Sequence, residues 1–113
     1  MIDLSKLKAL QYPTKDIAVN IAGEEQSITI QALDDEVSVQ IALLGEQSDS
    51  AENIFKLHRL VLKNGICGAL DEDVDILCKK AMPSALRIIE AVRDLTMQFA
   101  EIRKNTTDDA KKN

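Results

Sequence analysis

The side chains with reactive potential in this 113-residue chain are few: His58, Cys67, Cys78 and the carboxylate run "DEDVD" at 71–75. A general base needs a pH-matched side chain held by an orienting partner. His58 stands between Leu57 and Arg59 in a helix-forming stretch, with no Asp or Glu four residues away on either side. It reads as a half-exposed helix residue. A thiol nucleophile needs a neighbouring base, and neither cysteine has a histidine beside it. Their spacing matches no zinc motif, and two cysteines make a poor disulfide framework. They read as reduced, partly buried thiols of a cytosolic protein. A calcium loop alternates its ligands over about twelve residues, with Gly at the sixth and a closing Glu. Here "DEDVD" runs straight into "ILCKKAM", so helix capping and a solvated acidic face account for it. The four glycines stand apart at 23, 45, 65 and 68, which leaves no phosphate-cradling loop. These residues predict no catalytic, metal or cofactor site, and a protein that is not an enzyme.

Composition points the same way. Apolar residues make up 45% of the chain, enough for one globular domain with a modest core. The aromatics are Tyr12, Phe55 and Phe99, so that core must be aliphatic. The net charge is −5, with the acids concentrated in residues 34–75. An acidic middle disfavours nucleic acid, whose binding requires cations that displace phosphate counterions. No apolar run approaches the roughly 20 residues that span a bilayer. Lys6 and Lys8 interrupt the early apolar residues, against a signal peptide.

The elements expected to position these groups follow from periodicity. Ile2, Leu4, Leu7 and Leu10 suggest a short first helix capped by Asp3 or Ser5 and stopped before Pro13. Ile17, Val19 and Ile21, then Ile28 and Ile30 with Ala32 in phase, alternate on either side of "AGEEQ" and predict a β-hairpin over about 16–33. Helices are expected at about 35–44, 51–63, 72–81 and 84–104. The first is capped by Asp34 or Asp35, carries Val37, Ile41 and Leu44 on one face, and ends at Gly45. The second is capped by Ser48 or Ser50, carries Ile54, Leu57, Leu60 and Val61 on one stripe, and stops at Asn64-Gly65. The third is capped by Asp71 and uses Val74, Leu77 and Cys78. The fourth follows Pro83. Residues 105–113 read as a flexible tail. The fold class is therefore α+β, mostly α: a small N-terminal hairpin packed on a bundle of about four helices, as a single domain over residues 1–104.

The last helix, "PSALRIIEAVRDLTMQFAEIRKN", is apolar on two faces. At 100° per residue Ile88, Val92, Leu95, Phe99 and Ile102 fall in one stripe, extended by Ala85, which predicts a core seam. Arg87, Glu90, Asp94 and Gln98 form a polar face, with Glu90 placed to pair with Arg87 or Arg93. Leu86, Ile89, Met97 and Ala100 form a second flank shared with Arg93. A helix apolar over more than half its girth is either central or bound to a partner. The flank is thus the candidate surface for a partner or for self-association, and Met97 suits a surface that accepts varied apolar ligands.

The order of these elements resembles that of the tail assembly chaperones of long-tailed bacteriophages. The resemblance rests on the hairpin "IAVNIAGEEQSITIQAL", the acidic helix start "LDDEVSVQIAL" and the ending "DEDVDILCKKAMPSALRIIEAVRDLTMQF". It covers about residues 10–104. It implies a binding role: such chaperones coat the apolar, helical tape-measure protein in the host bacterial cytoplasm, and keep it soluble until tail-tube subunits polymerise around it. They are not expected in the mature virion. The partners implied are the tape-measure protein, the tail-tube protein and further copies of the chain, with no nucleic acid and no membrane. Many such chaperones are made in two lengths by a ribosomal frameshift. The "KKN" ending would fit the short, non-frameshifted form if its codons are a slippery A-rich run.

Two other readings stand beside this one. A small structural or adaptor protein of a phage or bacterial assembly would need the same exposed apolar flank. A helical DNA-binding regulator would place "DEDVDILCKK" as its second helix, with acids facing phosphate.

Overall fold

The structure, a computed structural model, describes residues 2–47 and 49–112, with side chains through Lys104. The fold is α+β and mostly α. A two-stranded antiparallel hairpin, β1 (Thr14–Ile21) and β2 (Glu24–Gln31), lies against a helical bundle. The helices are α1 (Ser5–Ala9), α2 (Asp35–Glu46), α3 (Ala51–Gly65), α4 (Asp71–Lys80) and α5 (Met82–Lys112). The last helix, expected to end at 104 before a tail at 105–113, continues through Lys112, and residue 113 lies outside the described residues.

The hairpin spans 14–31 and not 16–33, and its turn is tighter than its alternation suggested. Its turn is only Ala22-Gly23, with φ of 55° and 85°, and Ile21 pairs with Glu24. Two successive left-handed residues match the twist of the flanking strands. Asn20 fixes the turn by accepting the Gly23 N–H through its side-chain oxygen at 3.0 Å. Glu24, Glu25 and Gln26 therefore belong to β2 and not to the turn. Val19 and Ile30 point inward and are buried, as are Ala32 and Leu33 just beyond the strand. The outer edge of β2 is met by the link after α3: Ile66 bridges Ile30, and the Cys67 N–H donates to the Thr29 carbonyl at 3.0 Å.

Asp34 caps α2 by accepting the Val37 N–H at 2.8 Å, and Ser50 caps α3 by accepting the Asn53 N–H at 3.2 Å. Ser48 lies outside the described residues. Several expected boundaries move. Gly45 lies inside α2, which runs to Glu46. With open space around Gly45, nothing there forces the chain to leave the helix. α3 includes Gly65 as its last residue, and the cap residue Ile66 is extended and bridges Ile30 in β2. Asp71 is the first residue of α4 and not its cap; the cap is Leu70, without a side-chain hydrogen bond. α1 likewise has Leu4 at its cap position, while the Asp3 carboxylate accepts the Ser5 N–H at 3.0 Å. That bond, with one from the Ser5 hydroxyl, holds the Asp3 carboxyl below its ordinary pKa.

Ala81 alone joins α4 to α5. Its N–H donates to the Leu77 carbonyl, and its carbonyl accepts the Ala85 N–H at 2.9 Å. Pro83 then sits in the first turn of α5, where its missing N–H costs nothing. α5 is the central element and packs on both strands, α3 and α4. Its buried residues are Ala85, Ile88, Ile89, Val92, Leu95 and Phe99. Two expectations for this helix are corrected. Ile102 is 62% exposed, because the seam outruns the hairpin and bundle that cover it. Ile89 is only 5% exposed and belongs to the core, because α3 crosses α5 on that side. On α3 the buried apolar residues are Val61 and Leu62, while Ile54 in its first turn is exposed. Glu90 forms no ion pair with Arg87 or Arg93 among the described residues.

Candidate partner-binding groove

Where α3 crosses α5, the two helices leave a groove of about 350 Å³. Leu57 and His58 come from α3; Leu86, Ile89, Glu90, Arg93, Asp94 and Met97 come from α5. On α5 the residues at 86, 89, 93 and 97 recur every three or four positions, the spacing that keeps side chains on one face of a helix. Ile89 is buried at the floor. Leu86 and Met97 rise at the two ends, 46% and 67% exposed. Glu90, Arg93 and Asp94 supply charge at the rim. Of the flank read from sequence, the structure brings Leu86, Ile89, Arg93 and Met97 together here. Ala100 is exposed on the same helix but does not line the groove.

Leu57 and His58 were not part of the flank read from sequence. Leu57 was assigned to the α3 core stripe and is half-buried. Its role as a groove wall depends on the crossing of α3 over α5, which no local pattern encodes. The Nδ1 atom of His58 is buried and has no hydrogen-bond partner among the described residues.

The remaining reactive side chains do not converge. Cys78 is buried and opens on a different concavity, beside Phe55, Arg59 and Lys79. Burial pushes its thiol pKa up, partly offset by the Arg59 guanidinium, so the thiol is held protonated. Cys67 is exposed and its thiol contacts the Gln31 side-chain oxygen at 3.7 Å. Within the acidic run, Asp75 faces Arg59 at 3.3 Å and Asp71 faces Lys63 at 3.3 Å. Among the described residues no three His, Cys, Asp or Glu side chains gather as a metal site would require. No helix among them is long and apolar enough to cross a membrane.

The groove can hold an apolar strip about the width of one helix face. Its floor and ends are aliphatic or thioether, and its polar groups lie at the rim, the arrangement that receives an amphipathic helix. No protein-family model, curated protein or solved structure matches the chain.

Proposed function

We propose that the protein is a non-enzymatic tail assembly chaperone of a long-tailed bacteriophage, one that binds the tape-measure protein and keeps it soluble during tail assembly. The observation that carries the reading is the α3–α5 groove, in which exposed Leu86 and Met97 flank the buried Ile89. An apolar, helical client would lay its i, i+3, i+4, i+7 stripe into such a groove. Strong aromatic anchors are missing from it, so each contact is modest and many copies along one filament would bind by avidity. In this reading the protein acts in the host bacterial cytoplasm, hands its client to the tail-tube protein and is left out of the finished virion.

Co-expression with a tape-measure protein of a long-tailed bacteriophage is the test. The wild-type chain should move that client into the soluble fraction and co-purify with it, and Met97→Asp should abolish both effects. A client that stays insoluble with the wild type, or that is rescued equally by Met97→Asp, overturns the reading.

A second reading, a structural or adaptor protein of a phage or bacterial assembly, is favoured by apolar side chains outside the groove. Val39 and Leu43 on α2, with Ile54 and Phe55 on the first turns of α3, are also exposed. Mass spectrometry of purified virions separates the chaperone from a structural protein of the phage, since only the latter places the chain in the finished particle.

A further inference from the structure

The segment preceding the hairpin has an apolar stripe that its own chain leaves uncovered. Ile2, Leu4, Leu7 and Leu10 are all exposed. α1 has no buried residue and, among the described residues, touches no other element of the fold. The base of this arm is nevertheless fixed. The Tyr12 ring packs on Phe99 with centroids 4.9 Å apart, and the Pro13 carbonyl accepts the Ala32 N–H at 3.0 Å. A short amphipathic segment is thus held out from a firm anchor, with no seat among the described residues.

The α3–α5 groove is complementary to it. Leu4, Leu7 and Leu10 recur every three residues, and at 1.5 Å rise per residue they span about 9 Å. The groove runs along α5 from Leu86 to Met97, about 16 Å by the same rise, so the arm fits within its length. Charge agrees as well. Lys6 and Lys8 fall on either side of the leucine stripe at 100° per residue, and the groove rim carries the acids Glu90 and Asp94 against the one cation Arg93.

We propose that residues 2–10 of one copy dock in the α3–α5 groove of a second copy, with Leu4 and Leu7 against Leu57, Ile89 and Met97. Arm and groove are different patches, so the contact is heterologous; it closes if two copies exchange arms and propagates if each arm reaches a new neighbour. This self-docking goes beyond the chaperone reading: arm and client would take the same groove in turn, so the arm fills it only while no client is bound.

Light scattering on the full chain across a concentration series tests it, with Leu7→Asp altering the arm and Met97→Asp altering the groove. Both residues are exposed, so both variants should keep the wild-type circular dichroism spectrum. The wild type should associate, and each variant should weaken association by at least about tenfold, the factor that corresponds to about 1.4 kcal/mol. A labelled peptide of residues 2–10 should bind the Leu7→Asp chain, whose groove is intact and empty, and should not bind the Leu7→Asp/Met97→Asp chain. A wild type that is monomeric throughout, an unchanged association in Leu7→Asp, or a peptide that binds both chains equally overturns the proposal. None of these readouts contains the tape-measure protein, so failure here is distinguishable from failure of the chaperone reading.

Discussion

Gly65 at the end of α3 faces Val92 on α5 so closely that a methyl group at Gly65 would lie 2.6 Å and 2.7 Å from the two Val92 methyls. This contact lets α3 press against the central helix. Val92 is β-branched and has essentially one side-chain rotamer in a helix, so it cannot swing aside.

Gly65→Ala should therefore destabilise the fold. Alanine regains up to about 1 kcal/mol of helix propensity, but overpacking a tight contact costs about 1–3 kcal/mol, and two clashing methyls put this site at the upper end. Urea denaturation checks it. In the double variant Gly65→Ala/Val92→Ala the two costs should fail to add by about 0.5–3 kcal/mol, as for residues in direct contact. Strict additivity would mean that the helices simply move apart.

Thr96 should matter more than its type suggests. Its hydroxyl accepts the Leu33 N–H at 3.0 Å and donates to the Val92 carbonyl at 2.7 Å. Leu33 is buried, so Thr96→Val leaves that N–H without a partner, at a cost of about 1–3 kcal/mol. Thr96→Ser keeps the hydroxyl and should recover most of the loss. Hydrogen exchange offers a local readout: protection of the Leu33 amide should fall in the valine variant and persist in the serine one.

Asp35 and Arg103 should give α2 a weak dependence on pH. Two hydrogen bonds of 2.9 and 3.0 Å join the carboxylate to the guanidinium, which also lies over the Phe99 ring. The hydrogen-bonded Arg103 holds the Asp35 carboxyl below its usual pKa. A depressed folded-state pKa means that the contribution is present above the unfolded carboxylate pKa and is lost as pH falls through the lower, folded one. Asp35 is largely exposed, so solvent screening limits the effect to about 0.2–1 kcal/mol. Asp35→Asn should lower the urea midpoint slightly at neutral pH and leave it unchanged at a pH low enough to protonate the wild-type carboxyl. A gap that persists under acid would assign the loss to packing.

Leu95 and Met97 should separate the two faces of α5. Leu95 is 8% exposed and Met97 stands out from the bundle. Leu95→Asp buries an unpaired charge and should unfold the domain. Met97→Asp should change stability by no more than about 0.5 kcal/mol, as is usual at an open surface site. Thermal melts of both variants decide it. If Met97→Asp unfolds the protein as Leu95→Asp does, the groove is core and cannot receive a partner.

Much of the architecture was legible because local rules act over a few residues. The alternation at Ile17, Val19 and Ile21, the caps at Asp34 and Ser50, and the 4–3 spacing of Ile88, Val92, Leu95 and Phe99 each report a short-range constraint. Element ends were less legible. Gly45 carries a stop signal, yet the helix passes through it, since nothing beyond competes for its backbone. The cap at Leu70 has no side-chain acceptor to announce it.

The candidate site divides along the same line. Leu86, Ile89, Arg93 and Met97 share a face because helical periodicity requires it, and that much stands in the one-dimensional pattern. Which of them is floor and which is wall depends on where α3 crosses. Its close approach at Gly65 and Val92 buries Ile89, brings Leu57 and His58 alongside, and leaves Ala100 and Ile102 beyond the covered stretch. Periodicity assigns a residue to a side of its helix, but burial is fixed by contacts between residues far apart in the chain, and those exist only once the elements have packed.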